Sequence, residues 1–226
     1  MADVLLATWY YELPDLRAGD DPEMWADRMN HALRDFRRKV RRRYNEATLQ
    51  RLLANPSVEV RRATVLALGL TGTFQSNADL ARMLHDEDEL VSKTASDSLW
   101  EIWFRGGPED ANLELQRVLH LSDFRQVMAG LDGILHEWPE FAEAYNQRAI
   151  LHFQRSDCRR SIADCERALQ LNPYHFGAQS GIGECHMKLR KYSSALKAFK
   201  LALEINPTLE HLNETIQALE SVVDDC

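Results

Sequence analysis

Long apolar runs are missing from this chain of 226 residues, and none approaches the ~20 residues that a membrane-spanning helix needs. Residues 4–11 are the nearest to one, but they lack a basic flank and a small-residue cleavage site, so a secretory leader is not expected and the cytoplasm is the expected location. Cysteine is sparse: Cys158, Cys165, Cys185 and Cys226 show neither CxxC spacing nor the density of a disulfide framework, so nothing calls for an oxidising compartment. No GxSxG, Walker loop or GxGxxG occurs, which leaves catalysis without a candidate residue; the chain is expected not to be an enzyme and to need no cofactor. No stretch reads as a β-strand.

At 45% hydrophobic and 27% charged, the composition is that of a globular protein with a sizeable core. The net charge of −8 is unevenly spread. Residues 31–62 hold ten Arg or Lys against three Asp or Glu, a local +7, and the remainder, with 17 bases and 32 acids, carries −15. Asp21 and Pro22 supply the N-cap and first position of a helix in which Met29, Leu33, Phe36, Val40 and Tyr44 recur at helical spacing as a buried stripe. Arg34, Arg38, Arg41 and Arg42 fall on the far side, with Arg37 and Arg43 at its borders. Such a face can track phosphates, pair with Asp35, Glu46 or the acidic run 86–89, or meet an acidic partner. The acidic balance of the whole chain and the lack of interleaved aromatics weigh against nucleic acid. Ahead of that helix, Trp9, Tyr10 and Leu13 are expected to pack on the first helices.

Two periods organise the rest. Residues 55–69 (NPSVEVRRATVLALG) align with 86–100 at an offset of 31, each preceded by a short helix expected at 46–54 and 77–85. Asn55 with Pro56, and Asp86 with Glu89, are the expected start signals of the longer helices. Beyond Gly106-Gly107-Pro108, the clearest break, Pro139, Pro173 and Pro207 stand 34 residues apart, as do Asn172-Pro173 and Asn206-Pro207, and Ala168-Leu169 and Ala202-Leu203. After Pro207, Leu212, Ile216, Leu219 and Val223 give a last helix one apolar face, as a helix that ends a stack requires.

The 31-residue copies, with V-R-R-A-x-x-x-A-L-G in the first, resemble the short HEAT repeats of bilin-lyase relatives; Arg61 of the first copy is Ser92 in the second. The 34-residue copies, best seen in Ile182, Gly183, His186, Ala195, Phe199 and Pro207, resemble the tetratricopeptide repeat. From residue 43 onward the chain is similar to bacterial proteins that join the two kinds. The resemblance implies an all-α, right-handed α-solenoid of antiparallel helix pairs, HEAT-like first and tetratricopeptide after. The expected divisions are an N-terminal arm and basic capping helix (1–44), two HEAT-like repeats (45–106), three tetratricopeptide repeats (107–209, as 108–141, 142–175 and 176–209) and a capping helix (210–226).

It also implies a protein or peptide partner held along the first helices of the repeats, with no membrane involved and the oligomeric state left open. Asn112 and Gln116, then Asn146, Ile150 and Phe153, then Ser180, Glu184 and Met187 are the expected lining, amides holding a peptide backbone and Phe153 and Met187 receiving an apolar anchor. Co-chaperones of this family read C-terminal carboxylates with cations on this face, but here Asn112, Gln116, Ser180 and Glu184 stand where cations are wanted. His152 and His186, 34 residues apart, are expected to be half-buried with one hydrogen bond each rather than metal ligands. The single His136-Glu137 pair cannot build the repeated His-Glu iron site of a HEAT-repeat hydroxylase. Gly183 and Ala149 are expected where paired helices touch most closely.

Overall fold

In the computed structural model, which describes residues 2–15 and 19–224, thirteen α-helices and one short 3-10 helix form the chain, with no strand among the described residues. Cys226 lies outside them. The helices fall into two compact units, residues 1–102 and 103–226, divided just before the Gly106-Gly107-Pro108 break.

The first unit opens with α1 (Ala2–Tyr11), which the sequence, apolar nearly all round, did not mark as a helix. It buries Leu6 and packs on α4 (Val58–Thr71) and α2 (Pro22–Arg43). Trp9 meets the Tyr44 ring edge-on at 6.1 Å, and Lys39 reaches over the Trp9 ring to bond Glu12 at 2.8 Å. The aromatic arm is therefore packed, as its composition suggested. Asp21 caps α2 by accepting from the Met24 amide, Pro22 begins the helix, and Phe36 and Val40 are its buried anchors.

Helices α3 (Glu46–Leu52) and α4, then α5 (Asn77–Met83) and α6 (Glu89–Trp103), are the two 31-residue copies. Their start signals lie two residues later than the sequence suggested. Ser57 accepts from the Val60 amide and Asp88 from the Val91 amide, while Asn55 and Asp86 accept from the amides of those capping residues and so fold the turn. Both geometries recur at the same offset. A short side chain two residues before a helix satisfies the turn first, and the cap falls to the next polar residue.

The copies are joined by charge. Arg61 grips Asp86 through Nε and Nη2 at 2.8 and 2.9 Å, and Arg62 holds Asp88 through the same two atoms at 2.8 and 2.6 Å. Ser98 adds a hydrogen bond to the Val65 carbonyl at 3.1 Å. Ser92, at the place of Arg61, turns instead to the Glu89 carbonyl, so this ladder has a single Arg–Asp rung at that position.

In the second unit α7 (Glu109–Leu119) and α8 (Phe124–Glu137), α9 (Ala142–Gln154) and α10 (Cys158–Leu171), α11 (Phe176–Lys188) and α12 (Tyr192–Ile205) are successive helix pairs, followed by α13 (His211–Asp224). The 34-residue period extends to the backbone. Ser156 and Arg190, in equivalent turns, both take the left-handed conformation, at φ of 62° and 58°. Asn172 and Asn206, both buried, accept from the amides two residues on. A Cβ on Gly183 would stand 2.5 Å from the Phe199 ring, and Ala149 is buried, so small residues do mark the close contacts. Leu212, Ile216 and Leu219 of α13 cover Ala195, Phe199 and Ala202 of α12.

Candidate functional site

The first helices α7, α9 and α11 carry the residues that the sequence placed in a groove, and the structure sorts them. Gln116 and Glu184 are exposed, Ser180 and Met187 half-buried, and Ile150 is 42% exposed. Leu113, one turn before Gln116 and 58% exposed, extends the apolar series and was not read from the sequence. Two of the amides are not available. Asn112 exchanges two hydrogen bonds with Gly107, donating to its carbonyl at 2.8 Å and accepting from its amide at 3.0 Å, and so closes the break between repeats.

Asn146 is the second correction. Expected on a solvated face, it is only 3% exposed and donates to Glu143 Oε1 at 3.2 Å. Gln147 donates to the same oxygen at 2.6 Å, and His175 Nε2 lies 2.9 Å from Oε2. His175 Nδ1 accepts the Ala178 amide as the cap of α11, which assigns the proton to Nε2 and makes it the donor to Glu143. The Trp103 ring stacks on this imidazole at 4.3 Å. A buried carboxylate is thus satisfied by three side chains, and Asn146 serves that network.

A fixed cation stands on this face after all. Lys188, in the last turn of α11, lies 4.3 Å over the Phe153 ring and donates to the Phe153 carbonyl at 3.1 Å. Helices α9 and α11 thus carry Ile150, Phe153 with its ammonium lid, Glu184 and Met187, apolar side chains together with one charge of each sign. The signal for Lys188 was its place at the C-terminal end of a helix, where cations are favoured.

His152 and His186 are half-buried, as the repeat positions suggested, but neither ring makes the expected hydrogen bond to a described residue. His152 is half-buried, 3.8 Å from Asp164. His186 has a buried Nδ1 without a hydrogen-bond partner among the described residues, and burial, then Lys191, hold its pKa below the usual histidine value. Cys158, Cys165 and Cys185 are buried, free thiols; burial pushes Cys165 up to about 12 and Cys185 up to about 11, so both stay protonated. Among the described residues no group of three or more His, Cys, Asp or Glu is placed to hold a metal ion.

In the first unit, Arg34, Arg37, Arg38, Arg41 and Arg42 are all exposed along α2. Arg38 pairs with Asp35. Among the described residues the other four form no ion pair; Glu46 is taken by Thr73 and Ser76, and Asp86 and Asp88 by α4. No described helix is long and apolar enough to cross a membrane.

Repeated antiparallel helix pairs with a side-chain surface on their first helices are the mark of helical-repeat proteins. Residues 45–127 match the HEAT repeats and residues 178–209 the tetratricopeptide repeat. The HEAT match runs through α7 and into the first turn of α8, so it overlaps the stretch 108–141 expected as the first tetratricopeptide repeat. A TPR repeat-containing protein of Rhizobium etli is 30% identical over 120 residues, 52% of this chain and 59% of its own length. Mouse Superkiller complex protein 3 is 24% identical over 107 residues, 46% of this chain and 7% of its own. The chain thus spans less than two thirds of each. Among solved structures, the first TPR of Spaghetti bound to an HSP90 peptide is similar at a TM-score of 0.43 and 18% identity, covering 51% of this chain and 89% of that one. The TPR2AB domain of yeast Sti1 in complex with an HSP90 peptide has a TM-score of 0.42 at 18% identity, covering 96% and 82%.

Proposed function

We propose that this protein is a non-catalytic interaction scaffold that holds a segment of a partner protein along the first helices of its second unit. The observation that carries this reading is the exposure of Leu113 and Ile150, at 58% and 42%, on two of these first helices, with Phe153 and Met187 half-buried one turn along α9 and at the equivalent place of α11. Apolar side chains left in water on successive first helices favour a partner that covers them. Lys188 and Glu184 on α11 select for charge. The amide contacts come from Gln116, since Asn112 and Asn146 are committed elsewhere. The partner is isolated by affinity capture with and without nuclease and then titrated. Ile150→Asp, on an exposed site, weakens it by about 1.5–3 kcal/mol, the worth of one buried aliphatic side chain. Glu184→Lys favours an acidic segment and disfavours a basic one. Equal affinity for wild type and both variants removes this surface from the reading.

The unpaired arginines of α2 favour a second reading, a nucleic-acid-binding helical repeat. Each neutralised phosphate releases counterions, so this reading requires steep salt dependence. Replacing Arg34, Arg38, Arg41 and Arg42 together with Gln flattens the slope if α2 is the contact. No binding to single or double strands at low salt rejects it.

A further inference from the structure

The free carboxylates and the exposed aliphatic side chains of the first helices stand in one register. On α7, Glu109 lies one turn before Leu113 on the same face, and both are exposed. On α11, Glu184 holds the place that Ile150 takes one 34-residue period earlier on α9, and it too is exposed. Among the described residues neither carboxylate pairs with a cation. For Glu184 this is unexpected. Lys188 follows it by four residues, the spacing and order in which Glu and Lys pair along a helix. Yet the Lys188 ammonium is turned to the ring and carbonyl of Phe153. Glu109, in the first turn of α7, complements the helix dipole, but Glu184, toward the C-terminal end of α11, gains nothing from it.

The charges on these helices add to a negative sign. Arg117 is held by Glu114, and Glu143 is buried under its three donors. Arg148, two residues before Ile150, and Arg155, five after it, leave α9 on the opposite side. There Arg148 pairs with Asp132 and Asp164, and Arg155 lies over the Phe124 ring. Among the described residues, Glu109, Asp110 and Glu184 remain against Lys188. The second unit as a whole has the same balance: residues 103–226 hold 13 Arg or Lys against 18 Asp or Glu, a net −5. Such a field draws in cationic segments and turns away acidic ones. The same helices expose Leu113 and Ile150, and Lys and Arg are the side chains that join an aliphatic stem to a charged head. Packed helices lie about 8–10 Å apart, and α9 packs on α11. One such stem and one Glu side chain span that gap together.

We infer, building on the scaffold function proposed above, that the segment held along these helices is basic. A Lys or Arg of the partner lays its stem on Ile150 and brings its head to Glu184. A second one meets Leu113 and Glu109 in the same way.

A random-peptide display library selected on the immobilised full chain supplies the test. Selected peptides are enriched in Lys and Arg beside aliphatic residues, and a synthetic copy of the strongest binds the chain in solution. Glu184→Lys, at an exposed site, leaves the melting temperature unchanged. It weakens that peptide about tenfold, one exposed attraction lost and one repulsion gained. Exchanging the peptide's own cations for Glu reverses the order, so that the variant binds it better than wild type. Enrichment of Asp and Glu, or no charge preference, overturns the inference. So does a basic peptide that binds wild type and Glu184→Lys equally. Ile150→Ser separates this outcome from failure of the scaffold itself. Peptides that it weakens but that show no dependence on sign overturn the basic partner and leave the surface standing. A library without enrichment, or peptides insensitive to Ile150→Ser and Glu184→Lys alike, removes both.

Discussion

Arg61 and Asp86, 25 residues apart in the chain, meet in a two-pronged ion pair that leaves their side chains only 11% and 6% exposed. The guanidinium also donates from Nη1 to the Asn55 carbonyl at 3.2 Å, so one side chain holds its own repeat's turn and the next repeat's turn together. Removing one partner of a buried pair strands the other charge. Arg61→Ala is expected to cost about 3 kcal/mol, and Arg62→Ala, whose pair with Asp88 is more exposed, clearly less. Urea unfolding of the two variants checks the order; equal losses would deny Arg61 its special place.

Asn146→Ala is expected to destabilise. Glu143 stays buried with one donor fewer, a loss of about 1–3 kcal/mol. Thermal unfolding measures it, and an unchanged melting temperature would return Asn146 to the solvated surface.

Gly183→Leu drives a side chain into Phe199, which is fully buried, and overpacking of this kind costs about 1–3 kcal/mol. If the variant melts with the parent, the contact between α11 and α12 is not the one described.

His186 links stability to pH. Its folded pKa lies below the unfolded value of about 6.5, so on acidification the unfolded chain takes up the proton first. The contribution is complete above pH ~6.5 and is lost as pH falls toward the folded pKa. His186→Phe is therefore expected to lose less stability than wild type between about pH 7 and pH 5, read as the difference in melting temperature at the two values.

Much of this was legible from residue types and intervals. The 31- and 34-residue periods gave the helix pairs, and Gly183 and Ala149 gave their register, because close packing tolerates only small side chains at fixed places. Of what escaped, three features have a clear physical reason. The caps at Ser57 and Asp88 were misplaced by two residues, since Asn55 and Asp86 have the right chemistry but spend it on the turn. The first helix was missed because Leu5, Leu6, Trp9 and Tyr10 show no one-sided pattern when both α2 and α4 lie against it. Asn146 reads from the sequence as a ligand contact because its partners cannot be paired by spacing: Glu143 lies one turn before it, but His175 lies 32 residues beyond Glu143. The polar series Glu143, Asn146, Gln147 on one helical face was the available signal.

The α13 helix covers an apolar strip made by Ala195, Phe199 and Ala202 while offering exposed Asn213, Glu214 and Gln217 to water. Within the second unit each earlier hairpin hides the corresponding strip beneath its successor, so α13 gives the pair α11–α12 a wettable outside in place of another hairpin. Cut away after residue 209, that strip would be bare, and its natural cover would be the exposed apolar surface of another truncated chain. The fourteen residues of α13 are then what keeps that strip from water.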